Sequence, residues 1–158
     1  MANMEHFVQR GEEVKETLNE GVQKANEIGQ EISEVKDGLS DMPDGLDDDL
    51  KAMIEAAREQ ARQEARSEMD SAVKSDILDK AGSEAASVKG DTTQKIGDNA
   101  AAQSKLQSLF GKKYGRDAIS KASGSLESNS QQGQDLISDL DRSEENARAE
   151  VERILSNI

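Results

Sequence analysis

The sequence has no cysteine and no tryptophan, a single proline, and only three aromatic residues, two phenylalanines and one tyrosine. Without cysteine the chain cannot form a disulfide, a thiolate nucleophile or a zinc site of the cysteine type. Leu, Ile, Val and Phe together fall below the ~20% of residues at which a strongly charged chain is expected to be disordered. The chain is therefore short of material for a conventional globular core.

Negative charge dominates the composition, with 33 acidic against 20 basic residues and a net charge of −13. An excess of carboxylates opposes binding to nucleic-acid phosphates, which requires clustered Lys and Arg, so we expect no nucleic-acid partner. No apolar run approaches the ~18 residues that span a bilayer. Residues 1–10 also lack the apolar stretch of a secretory signal. We expect a soluble protein that is either cytoplasmic or exported without a cleaved signal peptide.

Hydrophobic periodicity decides between a disordered chain and a helical one. From Met4 to Leu39, small or apolar residues recur at alternating steps of three and four, which is the heptad pattern of a coiled coil. Similar seams run over 50–88 and 119–158, and the first of these has more steps of four than a strict heptad allows. We predict an all-α fold of long antiparallel helices that form a helical hairpin or a three- to four-helix bundle with coiled-coil-like seams.

The turn signals divide the chain into elements within one predicted elongated domain, 1–158. Pro43 is the only proline, and Asp41 is expected to cap the helix that follows it. Gly90 and Gly124 leave open whether the helices break at those positions. The predicted elements are a helix over 3–38, a turn over 39–45, a helix over 46–89, a short helix over 91–110, a turn over 111–115 and a helix over 116–157.

The seams are the first candidate interaction surface. Their many alanines and glycines remove little apolar area from water, so the isolated helices should be only marginally stable. We therefore expect association of the chain with itself or with a helical protein partner. The predicted interaction residues are the larger apolar members of the seams: Phe7, Val14, Leu18, Ile28, Ile32, Val35, Ile54, Met69, Ile77, Leu126, Leu136, Leu140, Val151 and Ile154.

A second candidate surface lies at the turn predicted over 111–115. Apolar and aromatic side chains alternate there with lysines, a composition typical of a tip that touches a membrane or of a docking patch. The other interpretation is that the apolar residues plug the end of a bundle while the lysines stay in solvent. We favour the plug, so membrane contact is the less favoured hypothesis. The residues are Leu106, Leu109, Phe110, Lys112, Lys113 and Tyr114.

Residue types that serve catalysis or metal binding occur without the spacing that either requires. His6 is the only histidine and lies near an end that should fray, so it is a poor member of a catalytic triad. The aspartates of the segment 44–49 lack the alternate spacing and the terminal glutamate of a calcium-binding loop. We expect no catalytic residue, no cofactor and no metal ion, and predict that the protein is not an enzyme.

Two charge patterns remain. Arg58, Arg62 and Arg66 form a row of like charge at i, i+4 spacing, which we interpret as a solvated face neutralised by neighbouring glutamates. The segment 80–122 is net basic, whereas the segments on either side of it are acidic. We expect the basic segment to pack along the acidic N-terminal region, in which case added salt would loosen the fold.

The arrangement of two helices around a turn, with small residues in the seam, resembles the helical hairpins exported by type VII secretion systems. That family carries Trp-x-Gly in its turn, where this chain has Phe110-Gly111 and Tyr114-Gly115. The family's export signal places an acid four residues after a tyrosine, and here Ala118 follows Tyr114 at that distance. The chain thus departs from both motifs.

The favoured function is that of a non-enzymatic interaction or scaffold protein that works through coiled-coil-like association. Two alternatives stay open, an exported helical effector or secretion partner, and a peripheral membrane-binding helical protein.

Overall fold

The structure, a computed structural model, describes residues 4–40, 45, 47–109 and 115–158, and these residues are almost entirely helical. No β-strand occurs among them, and the all-α prediction is confirmed. The helices are α1 (Glu5–Ser40), α2 (Asp48–Glu68), α3 (Lys80–Leu109) and α4 (Arg116–Ser156), and a π-helical segment, Met69–Asp79, joins α2 directly to α3.

The start of α2 is set by an aspartate cap. The carboxylate of Asp47 accepts a hydrogen bond from the backbone N–H of Leu50 at 2.8 Å, and Asp48 and Asp49 lie in the first turn, where the helix dipole favours negative charge. The predicted cap, Asp41, lies outside the described residues. The helix therefore begins two residues later than the predicted start at residue 46.

The glycines inside the long helices do not interrupt them. Between the helix predicted over 46–89 and the short helix predicted over 91–110 there is no break, since α3 runs through Gly90 as a continuous helix. Gly124 lies inside α4 in the same way. In the described chain, positive φ angles are confined to Gly45 (φ 92°) and Gly115 (φ 84°), both outside helices, where a residue without a Cβ meets no steric penalty.

The π-helical segment changes which residues of the second seam face inward. A seam with repeated steps of four drifts around an α-helix, which has 3.6 residues per turn. A π-helix closes its hydrogen bonds over five residues and has a wider turn. In such a segment, the seam returns to the side of the helix from which it had drifted. Burial accordingly passes from Val73 to Leu78, a step of five, and the predicted seam residue Ile77 is only half-buried.

The described contacts divide the chain into two compact units. Unit 1 contains residues 1–15 and 82–143, and unit 2 contains residues 16–81 and 144–158. The boundaries between the units fall inside helices α1, α3 and α4. The prediction of one domain over 1–158 stays a prediction, because residue contacts alone do not measure whether the two units unfold together.

In unit 1, the first turns of α1 run parallel to α4 and antiparallel to α3. The backbone N–H of Met4 donates to Oδ1 of Asn129 at 2.9 Å, and Gly11 lies against Leu136 one to two turns further along both helices. Between α3 and α4, the buried Asn99 donates from Nδ2 to Oγ of Ser130 at 3.3 Å. Unit 1 is thus a bundle of three helical segments.

Ion pairs between α1 and α3 in unit 1 have the opposite polarity to the one expected. Arg10 on α1 reaches Asp91 at 2.7 Å and Glu84 at 3.3 Å, both on α3. On the basic segment, Lys89 pairs instead with Asp141 of α4 at 2.5 Å. The pairs between α1 and α3 thus join a base on α1 to acids on α3, and the expected neutralisation of an acidic start by a basic middle does not describe them.

Unit 2 repeats the same helix directions with different residues. Gly21 of α1 lies against Leu78 and Ile77 of the π-helical segment, and Gly29 lies against Ile154 of α4. Small residues let these helices approach closely, since a Cβ on Gly29 would stand 2.9 Å from Cγ2 of Ile154. Seam glycines thus allow close contacts between the helices of unit 2 at Gly21 and Gly29.

Two glycines of α4 give a test of this close packing. A Cβ at Gly133 would meet Met4 at 2.8 Å and Ile96 at 3.1 Å, whereas a Cβ at Gly124 meets nothing within 4 Å. Gly124→Ala should raise the free energy of unfolding by about 1 kcal/mol through helix propensity. Gly133→Ala should raise it by less than Gly124→Ala, because the end of Met4 and the side chain of Ile96 must shift to make room and this cost offsets part of the same gain. Urea unfolding monitored by circular dichroism measures both values, and equal stabilisation by the two substitutions would contradict close packing at Gly133.

Candidate helix-docking site

Helix α2 carries an apolar stripe that unit 2 leaves largely uncovered. Leu50, Met53, Ile54, Ala57 and Ala61 recur at helical spacing along one side of the helix, continuing to Ala65. Ala65 is the only residue described as buried in α2. An amphipathic helix ordinarily buries such a stripe against a neighbouring element. The first turns of α2 therefore present apolar surface that no described element covers.

The stripe is uncovered because α4 ends before reaching it. On α1, Gly29 lies beside Ile154 of α4. From there α1 continues to Ser40, about three turns, whereas α4 ends at Ser156 within one turn. Beyond that level unit 2 has α1 and α2 without a third helix, and side chains that would face α4 meet solvent instead.

Exposure of the larger apolar side chains follows this loss of α4. Met53 is 67% exposed, Leu50 44% and Val35 of α1 40%, while Ile32 of α1, at the level that α4 still covers, is buried. We call the surface formed by Leu50, Met53 and Ala57 the open face. Its members lie on the first turns of α2, so it is a shallow apolar surface of the kind to which another helix can be added.

Two half-buried arginines lie on the side of α2 away from Met53, since Arg62 follows Met53 by nine residues, about two and a half helical turns. Arg58 pairs with Glu55 at 3.0 Å and Arg62 with Glu59 at 3.5 Å, each within α2. Both arginines are half-buried, which places their aliphatic stems along the helix surface. These pairs agree with neutralisation of the row by neighbouring glutamates, but the prediction that the row is solvated is wrong for Arg58 and Arg62, whose Nε atoms are buried.

An ion pair fixes the last turns of α4 beside the π-helical segment. Nζ of Lys74 lies 2.5 Å from Glu152 of α4 and 3.4 Å from Asp70 of its own segment. The hydrogen bond to Glu152 raises the pKa of Lys74 above its ordinary value, and this effect outweighs the partial desolvation of the ammonium group. The pair thus contributes to holding the end of α4 where the open face begins.

Most of the predicted seam residues lie in the interior of the two units. Among the three predicted seam residues of the middle helix, Met69 is the one that is fully buried. Phe7, Ile54 and Ile77 are half-buried. Val35 is exposed, because α4 does not extend to its level. The buried ones on α1 and α4 are Val14, Leu18, Ile28, Ile32, Leu126, Leu136, Leu140, Val151 and Ile154.

Several structurally important residues were not among those predicted. Leu78 was not predicted to be buried, because the step of five that brings it inward comes from the π-helical geometry, which the sequence pattern does not reveal. Thr92 and Asn99 are buried but polar, so a search for apolar periodicity passes over them. Met53 was overlooked because it lies one position before the predicted seam residue Ile54.

The candidate tip at the second turn is only partly described. Leu106 is half-buried, which agrees with a plug at the end of a bundle, and Leu109 is 47% exposed. Leu106 also lines a cleft of about 360 Å³ together with Ile119 of α4. Phe110, Lys112, Lys113 and Tyr114 lie outside the described residues.

Other groups capable of chemistry are scattered over the surface. His6 is exposed, and its ring makes an edge contact with Phe7 at a centroid distance of 5.6 Å. A groove of about 420 Å³ in unit 1 is lined by Glu12, Asp135 and other polar residues. In the described ranges no cluster of three or more His, Asp or Glu side chains is placed to hold a metal ion. None of the helices within those ranges has the length and apolar character to cross a membrane.

Comparison with known proteins identified no relative of this chain. No protein-family model matches the chain, and no curated protein or solved structure is significantly similar to it.

The ion pair of Lys74 gives a prediction for alkaline pH. Because the pKa of this lysine is higher in the folded chain, its contribution to stability is complete below the unfolded lysine value of about 10.4. It disappears as pH rises through the folded value. The free-energy difference between wild type and Lys74→Met should thus be a few tenths of a kcal/mol at pH 8 and should shrink above pH ~10.5. Urea unfolding at a series of pH values measures this, and a difference that stays constant to pH 12 would contradict it.

Proposed function

We propose that this protein is a non-enzymatic helical interaction protein that binds another α-helix on the open face. The observation that carries the proposal is the uncovered apolar stripe of α2, where Met53 is the most exposed large apolar side chain of the described residues and Leu50 is also exposed. Large apolar side chains are scarce in this chain. Leaving two of them exposed on one helix is consistent with a surface that is covered in a complex.

The energetics favour a helix as the ligand. Burying an exposed Leu or Met side chain contributes about 1.5–3 kcal/mol, so Leu50 and Met53 supply a small central cluster for an interface. The same surface lies along the axis of α2, and an added helix would pack against α2 as α4 packs against the π-helical segment further along unit 2. Ala57 presents little bulk and lets the incoming backbone approach closely.

The two alternative functions gain less support from the described residues. A peripheral membrane protein would need an apolar patch with basic residues at the candidate tip, and of that patch Leu109 is the one side chain seen to be exposed. An exported effector is a hypothesis about transport, and no described contact bears on transport. Association through helices is the function that the geometry favours.

A substitution at the centre of the open face tests the proposal. Met53→Glu places a charge in the middle of the apolar stripe, whereas Gln63→Glu adds the same charge on an exposed polar side of α2. Neither change touches a buried residue, so both variants should keep the helicity and stability of wild type. With each protein as bait in extracts of the native source, partners held by wild type and by Gln63→Glu should be lost from Met53→Glu.

Two results of the capture experiment would overturn the proposal. If the same partners are recovered at the same levels with all three baits, binding does not use the open face. If no helical protein and no second copy of the chain is bound under any condition, the proposed function itself is wrong.

A further inference from the structure

The start of α1 in unit 1 makes a contact with α4 that the proposed function does not use. Met4 directly precedes the helix, and its carbonyl accepts the first helical hydrogen bond, from the N–H of Val8 at 2.8 Å. The N–H of Met4 itself donates to Oδ1 of Asn129 on α4 at 2.9 Å. We infer that Asn129 caps α1 from α4, so that the first turns of α1 form a conformational latch, helical only while they are docked on α4.

The residues that ordinarily cap a helix from its own first turn carry no acceptor here. The N-cap position is usually Ser, Thr, Asp or Asn, and α1 has Met4 there. In a capping box the side chain three residues later accepts the N–H of the N-cap residue, and that position is Phe7. Asn129 supplies this acceptor from another helix. By contrast, α2 is capped locally, because Asp47 accepts the N–H of Leu50.

Packing places the cap and the side chain of Met4 on the same strip of α4. Met4 is fully buried, and its Cε would stand 2.8 Å from a Cβ on Gly133. Gly133 follows Asn129 by four residues, so the two lie one above the other on one side of the helix. The glycine leaves room for the end of Met4 while the amide binds its backbone. Docking of Met4 and capping of α1 therefore occur together.

The position of the unit boundary makes the first turns of α1 separable from the rest of the helix. Residues up to Lys15 belong to unit 1, whereas α1 from residue 16 onward belongs to unit 2. We call residues 4–15 the latch. A helix start without a cap frays, because its first N–H groups have no partner within the helix.

Opening of the latch has a defined consequence for α4. Gly11 lies against Leu136 and Leu140, both of which are buried. If the latch opened, these two leucines would meet solvent, while the contact of Gly29 with Ile154 in unit 2 would be unaffected. The ion pair of Arg10 with Asp91 is partly exposed and adds a small surface contribution to closure.

Two substitutions of nearly equal shape separate capping from packing at Asn129. Asn129→Leu removes the acceptor, whereas Asn129→Asp keeps it as a carboxylate at pH 7. Hydrogen exchange measured by NMR should show the amide protons of Met4 and Val8 exchanging about tenfold faster in Asn129→Leu than in wild type, and at nearly the wild-type rate in Asn129→Asp. The amide of Lys51, in the first turns of the locally capped α2, should exchange at the same rate in all three proteins.

Limited digestion with trypsin under native conditions is the second measurement. Cleavage after Arg10 requires the latch to open, because a protease needs an unfolded segment of chain. Asn129→Leu should therefore raise the rate of cleavage after Arg10 about tenfold. Cleavage after Lys24, which lies on α1 within unit 2, should keep its wild-type rate.

Unchanged exchange of Met4 and Val8 in Asn129→Leu would overturn the cap, as would equally fast exchange in Asn129→Leu and Asn129→Asp. Equal acceleration of cleavage after Arg10 and Lys24 would show a general loss of stability and would overturn the latch. None of these measurements uses the open face. The latch and the proposed function can therefore fail independently of each other.

Discussion

Close approach of helices at glycine is the constraint on which this fold depends. The chain has few large apolar side chains, so its helices cannot bury enough surface by standing apart with bulky residues between them. Gly11 and Gly133 in unit 1, and Gly21 and Gly29 in unit 2, each lie against a side chain of a neighbouring helix. Dispersion contacts across these short distances replace part of the apolar area that the composition lacks.

Each glycine also weakens the helix that contains it, by about 1 kcal/mol relative to alanine. The seams therefore combine helices of low intrinsic stability with tight contacts between them, so most helical stability must come from packing. Ion pairs such as Arg10 with Asp91 and Lys74 with Glu152 add small surface contributions that join specific turns of neighbouring helices. Where the third helix ends, this packing ends too, and the open face follows from that.

The sequence predicted the inward-facing residues more accurately on some helices than on others. On α1 the strict heptad identified Val14, Leu18, Ile28 and Ile32 as inward-facing, because three-four spacing keeps one stripe on one side of a helix. The second seam was less regular, and its steps of four did not show that a π-helical turn would bring Leu78 inward in place of Ile77. The sequence around Gly90 also did not determine whether the helix continues through it, since helix propensity is a weak preference that packing overrides.

The residues of the candidate site were also predictable from the sequence only in part. Leu50 and Ile54 belong to a predicted seam, but apolar spacing reports only that one side of a helix is apolar and says nothing about what covers it. Val35 has the same spacing as Ile32, and the difference in their exposure comes from the position at which α4 stops beside α1. A pattern along one helix contains no information on the length of another helix next to it.

By itself the sequence determined that this protein is all-α, that its helices are long and that each has one apolar or small-residue side, because these properties depend on local periodicity and composition. Only the tertiary structure decided which glycines touch a neighbouring helix, that the middle helix includes a π-helical segment, and that the start of α2 is left uncovered. Those properties depend on how segments far apart in the chain align, and alignment is set by the packing of all the helices of a unit together.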